Sequence, residues 1–140
     1  MSMSRIKSRE TAFILIFESL FSGYPIREII ETAQESRQIE PDEFAVSLAV
    51  MAFDKSAELD CIIEKYLSGW TISRISRVSL AILRIAVCEM LYMDDIPISV
   101  SIDRAVELAK KYSVPDDASF INGVLGSYAK QLEGASGSDE

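Results

Sequence analysis

Residues 75–128 read ISRVSLAILRIAVCEMLYMDDIPISVSIDRAVELAKKYSVPDDASFINGVLGSY, and this stretch decides the fold. Its first part, 75–93, carries apolar residues at 75, 78, 80, 82, 83, 85, 86, 87, 90 and 91. That is too many faces for a helix with one wet side, so the spacing predicts a central helix. The next part, 98–112, places Ile102, Ala105, Val106 and Ala109 on one stripe and Asp103, Glu107, Lys110 and Lys111 opposite, the pattern of a helix that lies over the first. Val114-Pro115 stops it, because the residue before a proline is pushed out of the helical region. A third helix then follows over 118–132, with Phe120, Ile121, Val124, Leu125 and Tyr128 at helical spacing. The three form one bundle.

Outward from this stretch, composition removes most chemistry. A chain of 140 residues, 49% of them apolar, is one domain and long enough to bury a core without staples. Cys61 and Cys88 sit at apolar-looking helix positions without metal-ligand spacing, so both are expected to be buried thiols in a reducing cytoplasm. The start lacks a charged n-region followed by an apolar run, and Arg84 and Glu89 interrupt the best apolar segment, so a cytoplasmic protein without a membrane span is expected. The sequence holds no histidine, which removes Ser-His and Cys-His nucleophiles, histidine-ligated metals and histidine acid–base work. With no phosphate-binding glycine loop after a strand either, no enzyme, cofactor or metal is expected.

The net charge of −8 argues against nucleic acid as a partner, but the charge is segregated. Ten of the 22 acids lie between Glu28 and Glu64, opposed by Arg37 and Lys55, whereas Arg5, Lys7 and Arg9 precede the first acid, Glu10. A second acid-free interval, 65–88, holds Lys65, Arg74, Arg77 and Arg84.

The N-terminal half reads as helices throughout. Ser4 is a suitable N-cap for a helix over 5–21 whose first turn is polar and basic, with Arg5 and Arg9 on one face and Lys7 roughly 200° around the axis. Gly23 suits a left-handed cap and Pro25 a restart, giving a short helix to about Gln38. Pro41 opens a third helix expected to run about 25 residues, to Leu67. Trp70 is expected to plug the joint between the halves, next to a short helical turn at 72–76. Ser99 or Ser101 is expected to cap the second helix of the bundle. Gly123 and Gly126 each cost about 1 kcal/mol relative to alanine inside a helix, which predicts a close backbone neighbour. Asn122 is read as at least half-buried, and the sequence from Gly134 as a flexible acidic tail.

Several runs, taken together and in order, resemble the transcription antitermination factor NusB family: ILRIAVCEMLY (82–92), IPISVSIDRAVELAKKYS (96–113), FINGVLG (120–126) and the basic opening SRIKSRETAFILIFE (4–18). The likeness spans roughly residues 4–130. It implies an all-α fold of about seven helices in two packed helical subdomains, a single domain over 1–133 with halves at about 4–68 and 69–133, and a tail over 134–140. It also implies a non-catalytic role: binding the boxA element of ribosomal RNA leaders together with ribosomal protein NusE, and joining the elongating RNA polymerase complex. Carried over by position, RNA binding falls on Arg5, Lys7, Arg9 and Phe120, with Ser119 and Asp116 beside them, where an acid can accept from base amino groups. An aromatic ring beside basic groups is how unpaired RNA is usually read. The NusE surface falls on Phe17 and Ser79, with Glu18 adjacent. Arg84, Glu89, Glu107 and Asn122 match structural positions, Glu107 being the expected partner of Arg84.

The resemblance implies two contacts for the apolar residues near Phe13, Phe17 and Phe21: the NusE surface and self-pairing into a homodimer. This chain departs from the family in its start, where Ile6 and Ser8 dilute the arginines, and at Ser119, often a lysine. Fewer phosphate contacts predict weak RNA binding alone and rescue by the protein partner. Two alternatives remain: a protein-interaction module with weakened RNA binding, and a detached NusB-like targeting domain of a ribosomal RNA cytosine methyltransferase.

Overall fold

The computed structural model describes residues 4–36 and 40–137. Among them are seven α-helices and one 3-10 turn: α1 (Arg5–Ser22), α2 (Ile26–Ser36), α3 (Glu43–Asp54), α4 (Ser56–Glu64), the turn Ile72–Arg74, α5 (Arg77–Tyr92), α6 (Ile98–Tyr112) and α7 (Pro115–Gly137). No strand occurs among the described residues, so the all-α expectation holds.

The helix starts follow from their caps. Ser4 accepts from the Lys7 amide, Asp42 from Ala45 and Ser76 from Ser79, each side chain satisfying an amide that the helix itself leaves unpaired. Gly23 takes a left-handed φ of 82° and closes α1 on the Ser19 carbonyl. The α6 cap differs from expectation: Pro97 holds that position, and Ser101 turns inward to a buried carboxylate instead. Pro115 is the first residue of α7 with Asp116 and Asp117 in its first turn, so α7 begins three residues earlier than the apolar spacing suggested.

α5 is the buried axis. Eleven of its 16 residues are inaccessible, among them Ile82, Leu83 and Ile85. α1, α3 and α4 pack against it from the N-terminal half, and α6 and α7 from the C-terminal half. One continuous core, from Ala12 and Leu15 through Leu48 and Ile63 to Ile121 and Leu125, runs through both halves.

Four expectations about local packing are corrected. The single long helix from Pro41 is two, because Lys55 leaves helical geometry (φ −97°, ψ 12°) and its amide turns back to the Met51 and Phe53 carbonyls. The i→i−4 bonds from Lys55 to Met51 and from Leu59 to Lys55 keep the two helices in phase, so the apolar pattern does not show the break. Cys61 is exposed, whereas Cys88 is buried. A Cβ on Gly123 or Gly126 would meet nothing within 4 Å, so neither marks a close approach. α7 continues through 134–137 rather than fraying at Gly134. The expected end of the second helix near Gln38, and the rest of the expected tail at 138–140, lie outside the described residues.

Candidate nucleic-acid interface

The first two turns of α1 carry the basic residues, and the fold gives each a different task. Lys7 stands exposed. Arg5 is exposed too, but its guanidinium lies 3.9 Å from the centre of the Phe44 ring on α3, a cation–π contact that fixes the side chain without neutralising it. Arg9 does not share an open face with Arg5. It is 5% exposed and its Nε donates to both oxygens of Glu89 on α5, at 2.9 and 2.7 Å. The physical reason is that Arg9 is one turn further along, where α1 has already entered the core. Ser101 on α6 donates to the same carboxylate at 3.0 Å, so three helices meet on Glu89. Burial pushes the Glu89 carboxyl above the ordinary carboxylate range, against the pull of Arg9 and Ser101.

Ser8, which dilutes the basic run in the sequence, is fully buried, and its hydroxyl donates to Asp42 at 2.7 Å. The same carboxylate caps α3. Arg5 on Phe44 and Ser8 on Asp42 together lash the α1 tip to α3.

Around that tip the surface is hollowed. A depression of about 520 Å³ between α1 and α6 is lined by Arg5, Ile6, Arg9, Pro97 and Arg104 among others. A second, of about 750 Å³ between α6 and α7, is lined by Arg104, Lys110, Glu107, Ser119 and Asn122. Asp103 and Arg104 line both, so the two adjoin along α6 and lead from the basic tip to Ser119. Glu107 is exposed and approaches Lys110 at 3.5 Å, rather than pairing with Arg84. Arg84 instead binds both oxygens of Asp60 on α4, at 2.7 and 2.6 Å. Asn122 is exposed, not buried.

Phe120 lies elsewhere. It is half-buried in a hollow of about 310 Å³ at the start of α5, with Trp70, Arg74, Ser79 and Asp116. No α1 residue lines this hollow. The expected side-by-side placement of ring and basic tip is therefore not found: Phe120 and Ser119 are neighbours in sequence but open into different depressions, about 100° apart around α7. Trp70 is no plug. It is 53% exposed, carried out of the bundle by Ser68 and Gly69, both at positive φ. Sequence reasoning missed its place beside Phe120, because the two are 50 residues apart in the chain.

The Ser79 side chain is 2% exposed, and its Oγ has no hydrogen-bond partner among the described residues. Leaving a buried hydroxyl unpaired costs roughly 1–3 kcal/mol. On the neighbouring face of α1, Phe13, Phe17 and Phe21 form a ladder with ring centres 6.3 and 6.1 Å apart, and Tyr112 joins at Phe13. Phe21 is 69% exposed and Arg77 lies 6.0 Å over it. Glu18 is exposed beside the ladder.

No group of three His, Cys, Asp or Glu among the described residues could hold a metal, and no described helix is long and apolar enough to cross a membrane.

Comparison with known proteins sets this geometry among relatives. The NusB family model matches residues 6–130. The transcription antitermination protein NusB of Ruminiclostridium cellulolyticum is 42% identical over 130 residues, covering 91% of this chain and 90% of that protein. That of Acetivibrio thermocellus is 41% identical, covering 98% and 97%. Among solved structures, T. maritima NusB superposes with a TM-score of 0.80 at 31% identity, covering 93% of each chain. A crystal structure of antitermination factors NusB and NusE in complex with dsRNA superposes with a TM-score of 0.80 at 30% identity, covering 92% of this chain and 99% of that one.

Proposed function

The chain belongs to the NusB family, and on that premise we propose that it is an RNA-binding antitermination adaptor. It grips the boxA element of ribosomal RNA leaders jointly with NusE, and through that pair joins the elongating RNA polymerase complex. The observation that carries the reading is the near-complete superposition on a NusB solved with NusE and RNA, in a chain whose α1 tip presents Arg5 and Lys7 to solvent.

Arg5 and Lys7 supply phosphate contacts at the tip, and Arg104 and Lys110 extend positive charge along the adjoining hollows towards Ser119. Asp103 and Glu107 in the same hollows temper that attraction, which fits weak binding by the chain alone. Arg9 works from below: its bond to Glu89 holds the tip in place. Phe120 offers a ring to an unpaired base, with Asp116 beside it. The NusE surface falls on half-buried Phe17 and exposed Phe21 and Glu18, an aromatic patch of the kind that anchors protein interfaces, whereas Ser79, expected on it, is buried.

Fluorescence anisotropy with a labelled boxA RNA tests this directly. The chain with NusE is expected to bind far more tightly than the chain alone. Arg5→Ala with Lys7→Ala is expected to weaken binding and to flatten the salt dependence by about 0.7 in log–log slope for each phosphate no longer gripped. Equal binding with and without NusE, or an unchanged slope in the double variant, would overturn the assignment.

A further inference from the structure

We propose that Phe44, on α3, is a positioning residue for RNA binding: its ring backs the Arg5 guanidinium and holds that cation ready for a backbone phosphate. The inference rests on the RNA-binding reading and adds to it a residue outside α1 that lines neither of the two adjoining hollows.

The contact is close. Arg5 Cζ stands 3.9 Å from the centre of the Phe44 ring, within the roughly 3.5–4.0 Å at which carbon atoms pack best. An N–H edge pointed at the ring would hold Cζ further off, so the guanidinium lies with a face on the phenyl. The N–H groups of an arginine lie in the plane of that cation, in a fork that matches two phosphate oxygens. Covering a face leaves the fork open, whereas a carboxylate partner would fill it.

No ion pair engages Arg5 among the described residues. The carboxylates packed around this end of α1 have other partners. Glu89 takes Arg9 and Ser101, Asp42 takes Ser8 and the Ala45 amide, and Glu10 takes Lys111 and Tyr112. Asp95 and Asp103 line the same hollow as Arg5 without pairing to it.

The ring is itself fixed. Phe44 is the second residue of α3 and half-buried against the core. Asp42 caps that turn and receives the Ser8 hydroxyl from α1, so the start of α3 is a platform tied to α1 one turn beyond the arginine. Arg5 lines the hollow of about 520 Å³ between α1 and α6, whereas Phe44 does not; the ring supports the cation without walling the hollow. Lys7, exposed on the same tip, has no ring beneath it among the described residues. Ordering a long side chain on binding lowers affinity by roughly two- to tenfold, and a stacked arginine has met that cost before RNA arrives.

A double-mutant cycle, read with labelled boxA RNA at saturating NusE, tests the assignment. Phe44→Leu keeps an apolar side chain and removes the ring. It is expected to weaken binding about three- to fivefold with an unchanged salt slope, because Arg5 still reaches its phosphate. Arg5→Ala is expected to lower the slope by about 0.7, and adding Phe44→Leu to it to change affinity no further. Phe44→Tyr, which keeps the ring face, is expected to bind like the parent. Phe44→Met, a second ring-free side chain, runs through the same cycle, and circular dichroism checks the fold of each variant. In the free protein, NMR is expected to show a ring-current shift at the Arg5 side-chain protons that Phe44→Leu abolishes.

An equal loss from Phe44→Leu with and without Arg5 would make the ring a packing residue only and overturn the proposal. Unchanged affinity in the folded ring-free variants, or no ring-current shift in the parent, would overturn it too, and all three results leave the RNA reading standing. Absence of RNA binding by the parent even with NusE would overturn both.

Discussion

Removing the Glu89 carboxylate is expected to destabilise this protein more than any change at the exposed basic tip. Glu89 is 1% exposed and accepts two bonds from Arg9, itself 5% exposed, and one from Ser101. Glu89→Ala would leave a guanidinium inside the core with no counter-charge, for which buried pairs lose about 3–5 kcal/mol. Against a total stability of roughly 5–15 kcal/mol for a domain this size, that is a large share. At about 3 °C per kcal/mol for this chain length, Tm should fall by roughly 10–15 °C. The double variant Arg9→Met, Glu89→Leu removes both charges and fills similar volume, and should recover most of the loss.

Urea titrations followed by circular dichroism measure each step. The same double variant tests what Arg9 does for RNA. If Arg9 serves as an internal prop, the salt slope of RNA binding should match that of the parent, whereas Lys7→Ala should lower it by about 0.7. A Glu89→Ala loss under about 1 kcal/mol, or a double variant as unstable as the single one, would refute the energetic argument. A fallen salt slope in the double variant would refute the assignment of Arg9 to the interior.

Three further outcomes follow from the same structure. Phe21→Ser, at a ring 69% exposed, should change folding stability by less than about 0.5 kcal/mol while weakening NusE binding, measured by calorimetry. Of the two thiols, Cys61 is exposed, whereas burial pushes Cys88 up to about 12; a thiol reagent should therefore label Cys61 in the folded chain and reach Cys88 only on unfolding. The hydrogen bond from Lys111 holds the Glu10 carboxyl below its usual 4.5. Its stabilisation should be complete above that value and lost as pH falls through the lowered one, so Glu10→Gln and the parent should converge in stability under acid conditions.

How much of this was legible beforehand depended on the range of the interaction. α5 was readable because a helix buried on all sides writes apolar residues onto every face, and α1, α6 and α7 because caps and prolines act within four residues. The break at Lys55 was not, since a single turn preserves the apolar period on both sides. The candidate site was harder for a related reason. Sequence reasoning can say that Arg5 and Arg9 share a helix face, but not where along its length the helix enters the core. Arg9 lies past that point, and its partner Glu89 is 80 residues away. Trp70 and Phe120, likewise, look like an isolated plug and an isolated ring until the left-handed turn at Ser68-Gly69 brings the indole to the hollow. The unpartnered Ser79 hydroxyl had no sequence signal at all: a serine three residues after an N-cap reads as a routine first-turn residue, and only the surrounding packing reveals that its hydroxyl lacks a partner there. Local rules thus recover the helices and propose the chemistry, whereas the assignment of each charged or aromatic group to the core, the surface or a hollow is set by contacts between helices, which composition and spacing do not encode one residue at a time.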